Sequence, residues 1–424
     1  MKENNRFSLT EEEQMLQDMV RRLAKEKVAP GAEERDKKGE YPHDMLELMR
    51  ENGLMGVDFP AEYDGMAAGM IAHCIVVEEL AKADASVALI PSVQELGSLP
   101  IILAGNHEQK EKYLKPLSTG ETTAAFGLTE SKGGSDVAAL KTRAVKKGDK
   151  YIINGSKMWI TNGGIADTFS VYAVTDPDVP PYKGGSVFIL EKGMPGFTIG
   201  KKESKLGIKS SDTRELIFED VEVPVENLLA EEGSGFHIMM KTLDFSRPSV
   251  GAQALGIAAG AFEYATAYAK ERVAFGKPII KHQAIAFKLA DMSMKITAAR
   301  MLLWKTCSLL DTVGKDLSKI PPEIIRHSSM SKAYCADVAI WTTVEAVQVL
   351  GGFGYSTEYP VERMMRDAKI TQIYEGTNEI QRIVIAGTLY KYFKHRLFSA
   401  INRGGPKKPP LSLYIRSEIP MSDR

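Results

Sequence analysis

The hydrophobic period of the chain changes twice, and that order limits the fold more than any other feature. Up to about residue 120, apolar residues recur at three- and four-residue spacing. From Thr122 to about residue 230 they come in short β-rich runs cut by Gly, Lys and Asp, and after Gly233-Ser234-Gly235 the helical period returns and persists to about Tyr392. Helices bury a stripe and strands bury a face, so the chain is predicted to divide into a helical part, a β part and a second helical part.

The local signals agree. Thr10-Glu11-Glu12-Glu13 has the form of a capping box, and Met15, Leu16, Met19, Val20 and Leu23 share one face of a helix predicted to run to about Val28, before Pro30. Further helices are predicted over His43 to Glu51, Ile71 to Ala83, Ser92 to Ala104 and Glu108 to Leu117. Turn signals at Lys147-Gly148-Asp149 and Asn154-Gly155 between the β runs predict an antiparallel sheet or small barrel. Phe236 to Glu271, Gln283 to Leu310, Ile324 to Leu350 and Thr377 to Tyr390 are long enough to form a bundle, and the Ala/Gly-rich run at 251–262 permits close helix approach. The expected divisions are a helical domain at 1–121, a β domain at 122–234, a helical bundle at 235–395 and a Pro/Lys-containing tail at 396–424 that is poorly ordered or draped on the surface.

Composition narrows the class. Lys plus Arg is 54 and Asp plus Glu 55, so no broad basic field is available for nucleic acid. Cys74, Cys307 and Cys335 are far apart and odd in number, and the seven histidines are scattered, so a reducing compartment is expected and no metal site. The N-terminal MKENNRFSLTEEE lacks the character of a signal or transit peptide, and no apolar run reaches membrane-spanning length, so a soluble, cytoplasmic protein is expected, with which a bacterial or archaeal source is compatible. Neither a Rossmann glycine fingerprint nor a P-loop is present. The 19 methionines are dispersed over apolar helix faces and read as core filling.

The stretch TQIYEGTNEIQR, residues 371–382, places Glu375 between an aromatic and a glycine at a loop-to-helix junction, with Thr377 or Asn378 as candidate cap. By itself it admits two readings, a solvated glutamate before an ordinary helix or a carboxylate projecting into a cleft. Five more stretches bear on the choice: AFGLTESKGGSDV (125–137), INGSKMWITNGG (153–164), DFSRPSVGAQALG (244–256), ERVAFGKPIIKHQA (271–284) and AVQVLGGFGYSTEYPVERMMRDAKI (346–370). With these in this order, the chain resembles the acyl-CoA dehydrogenase family over roughly residues 8 to 392, and is most similar to its short- and medium-chain members.

That resemblance implies an α+β fold: an N-terminal helical domain, a middle antiparallel β domain and a C-terminal four-helix bundle, with FAD held where they meet. It implies α,β-dehydrogenation of an acyl-CoA thioester to the 2-enoyl-CoA, the β-hydride passing to flavin N5 and the electrons to an electron-transfer flavoprotein, in a homotetramer built as a dimer of dimers. Glu375 matches the base, and its amide would be one donor to the thioester carbonyl. Some relatives carry the base just before the Arg of a D-x-x-R motif; here that residue is Ser246, which cannot serve. Arg247 matches a substrate-binding arginine or, in the plainer reading, an ordinary salt bridge, and Asp244, Phe245, Leu96, Tyr374, Gly376 and Ser135 complete the expected substrate contacts.

For the flavin, the resemblance implies contacts from Phe126, Leu128, Thr129, Gly134, Ser135, Trp159, Ile160, Thr161, Thr377 and Glu379. Arg272, Phe275, Gln283, Gln348, Gly351 and Gly352 would reach the cofactor of a neighbouring subunit. Two departures stand out. Ser131-Lys132 replaces the family's usual Pro-Gly, which opens a different loop path or a phosphate contact from Lys132. Glu95 lies where relatives often carry a small neutral residue; it is either a surface glutamate or a buried second carboxylate for an alicyclic or dicarboxylic acyl group. An oxygen-using acyl-CoA oxidase or nitroalkane oxidase is the other enzymatic reading, and a non-catalytic CoA-ester-binding scaffold the reading from another class. Acyl length turns on packing near Ala88, Ser92, Leu96 and Leu99.

Overall fold

A computed structural model describes residues 8–180, 182–313 and 320–389; the expected tail at 396–424 and the last residues of the expected bundle lie outside them. Six helices come first: α1 (Glu11–Leu23), α2 (Ala32–Lys38), α3 (His43–Glu51), α4 (Gly69–Ala83), α5 (Ala85–Ala104) and α6 (His107–Thr119). The capping box at Thr10 forms as expected, the hydroxyl accepting from the Glu13 N–H while the Glu13 carboxylate accepts from the Thr10 N–H.

Helix α5 begins seven residues before the expected Ser92. Pro91 lies inside the helix with Pro100, and the N-cap is Asp84, whose carboxylate accepts from the Ser86 and Val87 N–H groups. Tertiary burial outweighs the lost hydrogen bond here, because α5 is enclosed on nearly all sides. Among the described residues it is the one helix long and apolar enough to cross a membrane, and it is spent as an internal core helix.

The β domain contains β1 (Ala124–Gly127), β2 (Arg143–Lys147), β3 (Lys150–Thr161), β4 (Thr168–Val174), β5 (Gly185–Glu191), β6 (Phe197–Lys202), β7 (Thr213–Pro224) and β8 (Leu228–Leu229). They form one sheet in the order β6-β7-β3-β2-β4-β5-β8, with β1 on β4. The sheet is antiparallel as expected except at β4, which β1 and β2 both meet in parallel. A parallel pair requires a crossover, and the β2–β3 hairpin fills that place between β1 and β4. The register of β3 against β7 slips between Lys157 and Ile160, a bulge that turns Trp159 out with a left-handed backbone, φ +64°.

Helices α7 (Gly235–Glu271), α8 (Gln283–Val313), α9 (Pro322–Leu350) and α10 (Pro360–Ala368) follow, and a last helix, α11, occupies 378–389. α7, α8, α9 and α11 are the long members of the bundle, while the short α10 was not anticipated. The Ala/Gly run does bring helices close: a Cβ at Gly256 would stand 2.3 Å from the Glu78 carbonyl oxygen of α4, and one at Gly260 2.5 Å from that of Lys82. A single helical core therefore runs from α1 through α4 and α5 into the bundle, and separate clusters fill the helix–sheet interface and the sheet.

Candidate active site

The turn that carries Glu375 is built against the bundle by backbone contacts. Glu375 and Gly376 are consecutive left-handed residues, φ +52° and +88°, and only the glycine takes that conformation without strain. The Gln381 side-chain amide donates to both of their carbonyls, at 3.0 and 2.9 Å, and Lys332 Nζ of α9 donates to the Gly376 carbonyl at 2.8 Å. Tyr374 reaches across to α7 and hydrogen-bonds Gln253. Thr377 Oγ1 accepts from the Ile380 N–H, so of the two candidate caps it is Thr377 that caps α11, while Asn378 turns inward to Lys332, Ala333 and Asp337.

The Glu375 carboxylate accepts a 2.5 Å hydrogen bond from the Ser246 hydroxyl of α7. Burial pushes its pKa up to about 7; the Ser246 hydrogen bond pulls back, the charge of Glu95 adds to the rise, and Arg247 and Lys332 oppose it. Ser246 thus has a part that sequence reasoning did not assign to it. Arg247 is buried, with Nη1 on Asp244 Oδ1 at 2.7 Å and Ser329 Oγ at 3.4 Å, and its Nε has no protein acceptor. This rules out a surface pair and leaves one buried donor unused. Burial raises the Asp244 carboxyl to about 6 against the pull of Arg247.

The surface reading of Glu95 is corrected, because its side chain is fully buried in α5. His73 of α4 places Nε2 3.0 Å from Glu95 Oε2 and 3.0 Å from Ser249 Oγ, and Nδ1 3.6 Å from Asp58 Oδ1; Ser249 Oγ also meets Ser92 Oγ at 2.7 Å. Ser246 and Ser249 are three apart on α7 and share a face, so α7 brings the Glu375 turn and the Glu95–His73 pair side by side. Leu96 is half-buried beside them, while the Phe245 side chain is packed in the helical core.

A second group gathers at the edge of the sheet. The Met158 N–H donates to the Thr129 carbonyl at 2.8 Å, which joins the end of β1 to the β3 bulge and sets Thr129 beside Trp159. The indole is 55 % exposed and Thr161 half-buried, whereas Leu128 and Ile160 point into the protein interior and Phe126 is partly covered. Behind this edge Lys157, fully buried, bonds Glu130 at 2.7 Å and the Leu128 carbonyl at 3.1 Å. Ser131 and Lys132 lie at the exposed tip of a turn closed by paired backbone bonds between Glu130 and Gly133, followed by exposed Gly134 and Ser135.

A third group is an open cleft of about 900 Å³, lined by Arg272, Phe275, His282, Gly351, Gly352 and Phe353 among others. The Arg272 guanidinium lies 5.6 Å from the Phe353 ring centroid, and Phe275 is 96 % exposed. Gln283 and Gln348 are exposed on the helices that flank it, and Glu379 is exposed on α11. Among the described residues no group of three or more His, Cys, Asp or Glu is placed to hold a metal ion. Sequence reasoning missed Lys332, Gln381 and His73; a lysine within the buried run SSMSKAYCADVAI was the one signal on offer.

Three family models match in succession: acyl-CoA dehydrogenase N-terminal domain over residues 10–121, middle domain over 125–221 and C-terminal domain over 233–390. The solved butyryl-CoA dehydrogenase of Megasphaera elsdenii superposes with a TM-score of 0.86 at 47 % identity, covering 91 % of this chain and 99 % of that one. A structure described as the electron transferring flavoprotein of Acidaminococcus fermentans, concerned with flavin-based electron bifurcation, contains a chain with a TM-score of 0.86 and 49 % identity, covering 90 % and 99 %. An acyl-CoA dehydrogenase complexed with FAD from Bacillus anthracis matches with a TM-score of 0.84 at 36 % identity, covering 92 % of this chain and 69 % of that one.

Proposed function

The chain belongs to the acyl-CoA dehydrogenase family and is an oxidoreductase with FAD as its cofactor; from that premise we propose that it dehydrogenates a short-chain acyl-CoA at the α and β carbons, with Glu375 as the proton acceptor. The Glu375 turn carries this reading: a carboxylate with proton affinity raised to about 7 on a left-handed turn fixed from the protein side. A free carboxylate is a feeble base for a carbon acid, and burial moves it towards the working pH. The thioester carbonyl must be met by fixed donors as its α-proton leaves, and the Glu375 amide is the donor this chain offers. Gly376 leaves room for the Gln381 amide, which would stand 2.7 Å from a Cβ there, and Arg247 Nε is a buried donor still open to a ligand.

The residues present fit FAD. Trp159 is an exposed indole held on a bulge with Thr129 and Thr161 beside it, suited to cover a flat ring system. The Arg272 cleft combines aromatic and aliphatic walls with a cation, and a Cβ at Gly351 or Gly352 would meet nothing within 4 Å, so it admits an adenine and a pyrophosphate. When bound, the flavin supplies the hydride acceptor. The open cleft and the exposed apolar residues Phe287, Met294 and Ile383 support a homotetramer in which a neighbour completes the cofactor site. An electron-transfer flavoprotein is the proposed electron acceptor, and the bacterial relatives support a cytoplasmic location.

Glu375→Gln tests the reading. It should keep bound, yellow FAD and lose butyryl-CoA-driven flavin bleaching by about a thousandfold or more; retained bleaching would put the base elsewhere. Rapid reoxidation by air with peroxide release, in place of reoxidation by the flavoprotein, would favour the oxidase alternative. A second substrate reading has its own support in the buried Glu95–His73 pair, which suits an alicyclic acyl group that undergoes a further dehydrogenation, its proton going to Glu95 and its hydride to the flavin when bound. Its dicarboxylic version is disfavoured, since Glu95 and Asp58 would repel a distal carboxylate.

A further inference from the structure

Lys332 lies in the middle of α9 with no exposed surface, in a run where Ser328, Ser329, Ser331 and Ala333 are also buried and leave room for its long side chain. Its two acceptors, the Gly376 carbonyl at 2.8 Å and Asn378 Oδ1 at 3.1 Å, are both neutral oxygens. They flank the turn that carries Glu375. A buried ammonium is expensive to desolvate, and an apolar side chain of the same volume serves packing at least as well, so the fold by itself does not call for a lysine here.

The turn does call for one. Two consecutive left-handed residues, Glu375 and Gly376, expose their carbonyls to the protein side, and only donors from outside the turn hold them there. Gln381 supplies a neutral donor to both carbonyls, and Lys332 supplies a charged one to the second. Asn378 ties the ammonium to α11 and, through its own amide, to Ala333 and Asp337 of α9. The same charge favours the ionised form of Glu375.

We propose that Lys332 is a positioning residue for the proposed base: its buried ammonium fastens the Glu375–Gly376 turn to α9 and keeps the Glu375 carboxylate ionised and available. This rests on the reading of Glu375 as proton acceptor. The charged groups that face the ammonium are Glu375, Arg247 of α7, Asp337 of α9 and Glu379 of α11; the three carboxylates favour its charge, but burial, the largest influence, and Arg247 outweigh them and lower its pKa to about 7, so it is an ammonium over the acid limb.

The test uses holoenzyme with butyryl-CoA and three variants. Lys332→Met should retain FAD and lower kcat by roughly 10- to 100-fold with a smaller change in KM, because the substrate contacts away from the turn stay in place while the base is displaced. Lys332→Gln keeps a donor for the Gly376 carbonyl and removes only the charge. It should move the acid limb of the kcat/KM profile upward by roughly half to one pH unit. Lys332→Arg should return the limb towards its wild-type position. If Lys332→Met does not accumulate as holoenzyme, the Gln and Arg pair decides: a limb unmoved in Lys332→Gln, or moved equally in both, overturns the proposal. Glu375→Gln measured alongside separates the two ideas, since activity surviving in that variant removes the base reading whatever Lys332 does. Loss in Glu375→Gln with wild-type behaviour in Lys332→Gln removes this proposal alone.

Discussion

The Ser246 hydroxyl donates to Glu375 Oε2 at 2.5 Å, joining the middle of α7 to a turn 129 residues further along the chain. A hydrogen bond to the ionised form stabilises that form, so this contact sets how far burial raises the carboxyl. With a folded value of about 7, dehydrogenase activity should fall as pH drops through that region. Ser246→Ala should move the acid limb of kcat/KM upward by roughly half to one unit. A limb that stays in place would mean the hydroxyl contributes nothing to the proposed base.

Glu375 also predicts a link between pH and stability. Its folded pKa is raised from 4.5 to about 7, so the folded state holds the proton more tightly than the unfolded chain. That stabilisation is fully present below the unfolded value and is lost as pH rises through the folded one. Glu375→Gln does not lose it, so its advantage over wild type should grow from about pH 5, level off just above about pH 7, and widen by on the order of 1–2 kcal/mol between about pH 6 and 8. Thermal melts at both pH values check this; a difference independent of pH would count against it.

Glu95 acts on the same carboxylate from α5, and its charge raises the Glu375 pKa. Glu95→Gln should therefore shift the acid limb downward, opposite to Ser246→Ala. The substrate question is read from the same variant with a panel of butyryl-, octanoyl-, glutaryl- and cyclohexanecarboxyl-CoA, by flavin bleaching. If Glu95 serves a second proton abstraction, the cyclic substrate should lose roughly a hundredfold or more relative to butyryl-CoA. An unchanged ratio would remove the alicyclic reading.

Two glycines separate close packing from open surface. A Cβ at Gly256 would meet the Glu78 carbonyl at 2.3 Å and the Ala81 Cβ at 2.7 Å, so Gly256→Ala should force α7 from α4 and cost about 2–3 kcal/mol. Gly387, in α11, has nothing within 4 Å of a new Cβ. Gly387→Ala should stabilise by about 0.5–1 kcal/mol through helix propensity. Opposite shifts in Tm are the expected result, and a tolerated Gly256→Ala would show that the α4–α7 contact can relax.

Much of this protein was legible along the chain. The two changes of hydrophobic period, the Thr10 capping box and the small residues of 251–262 are local patterns, and each led to the element that forms. The motifs around Glu375, Trp159 and Arg272 were legible by resemblance, because short stretches keep their residue order whatever surrounds them. Partners far apart in sequence were not legible. That Glu95 is buried against His73, that Ser246 faces Glu375, and that Lys332 sits under the Gly376 carbonyl all depend on α4, α5, α7 and α9 packing around one turn. The course of α5 through Pro91 and the parallel seat of β1 on β4 were likewise decided by tertiary contacts. A sequence records which side chains avoid water and which backbones can turn, whereas the pKa of a carboxylate is set by the charges and donors that the finished fold brings to it.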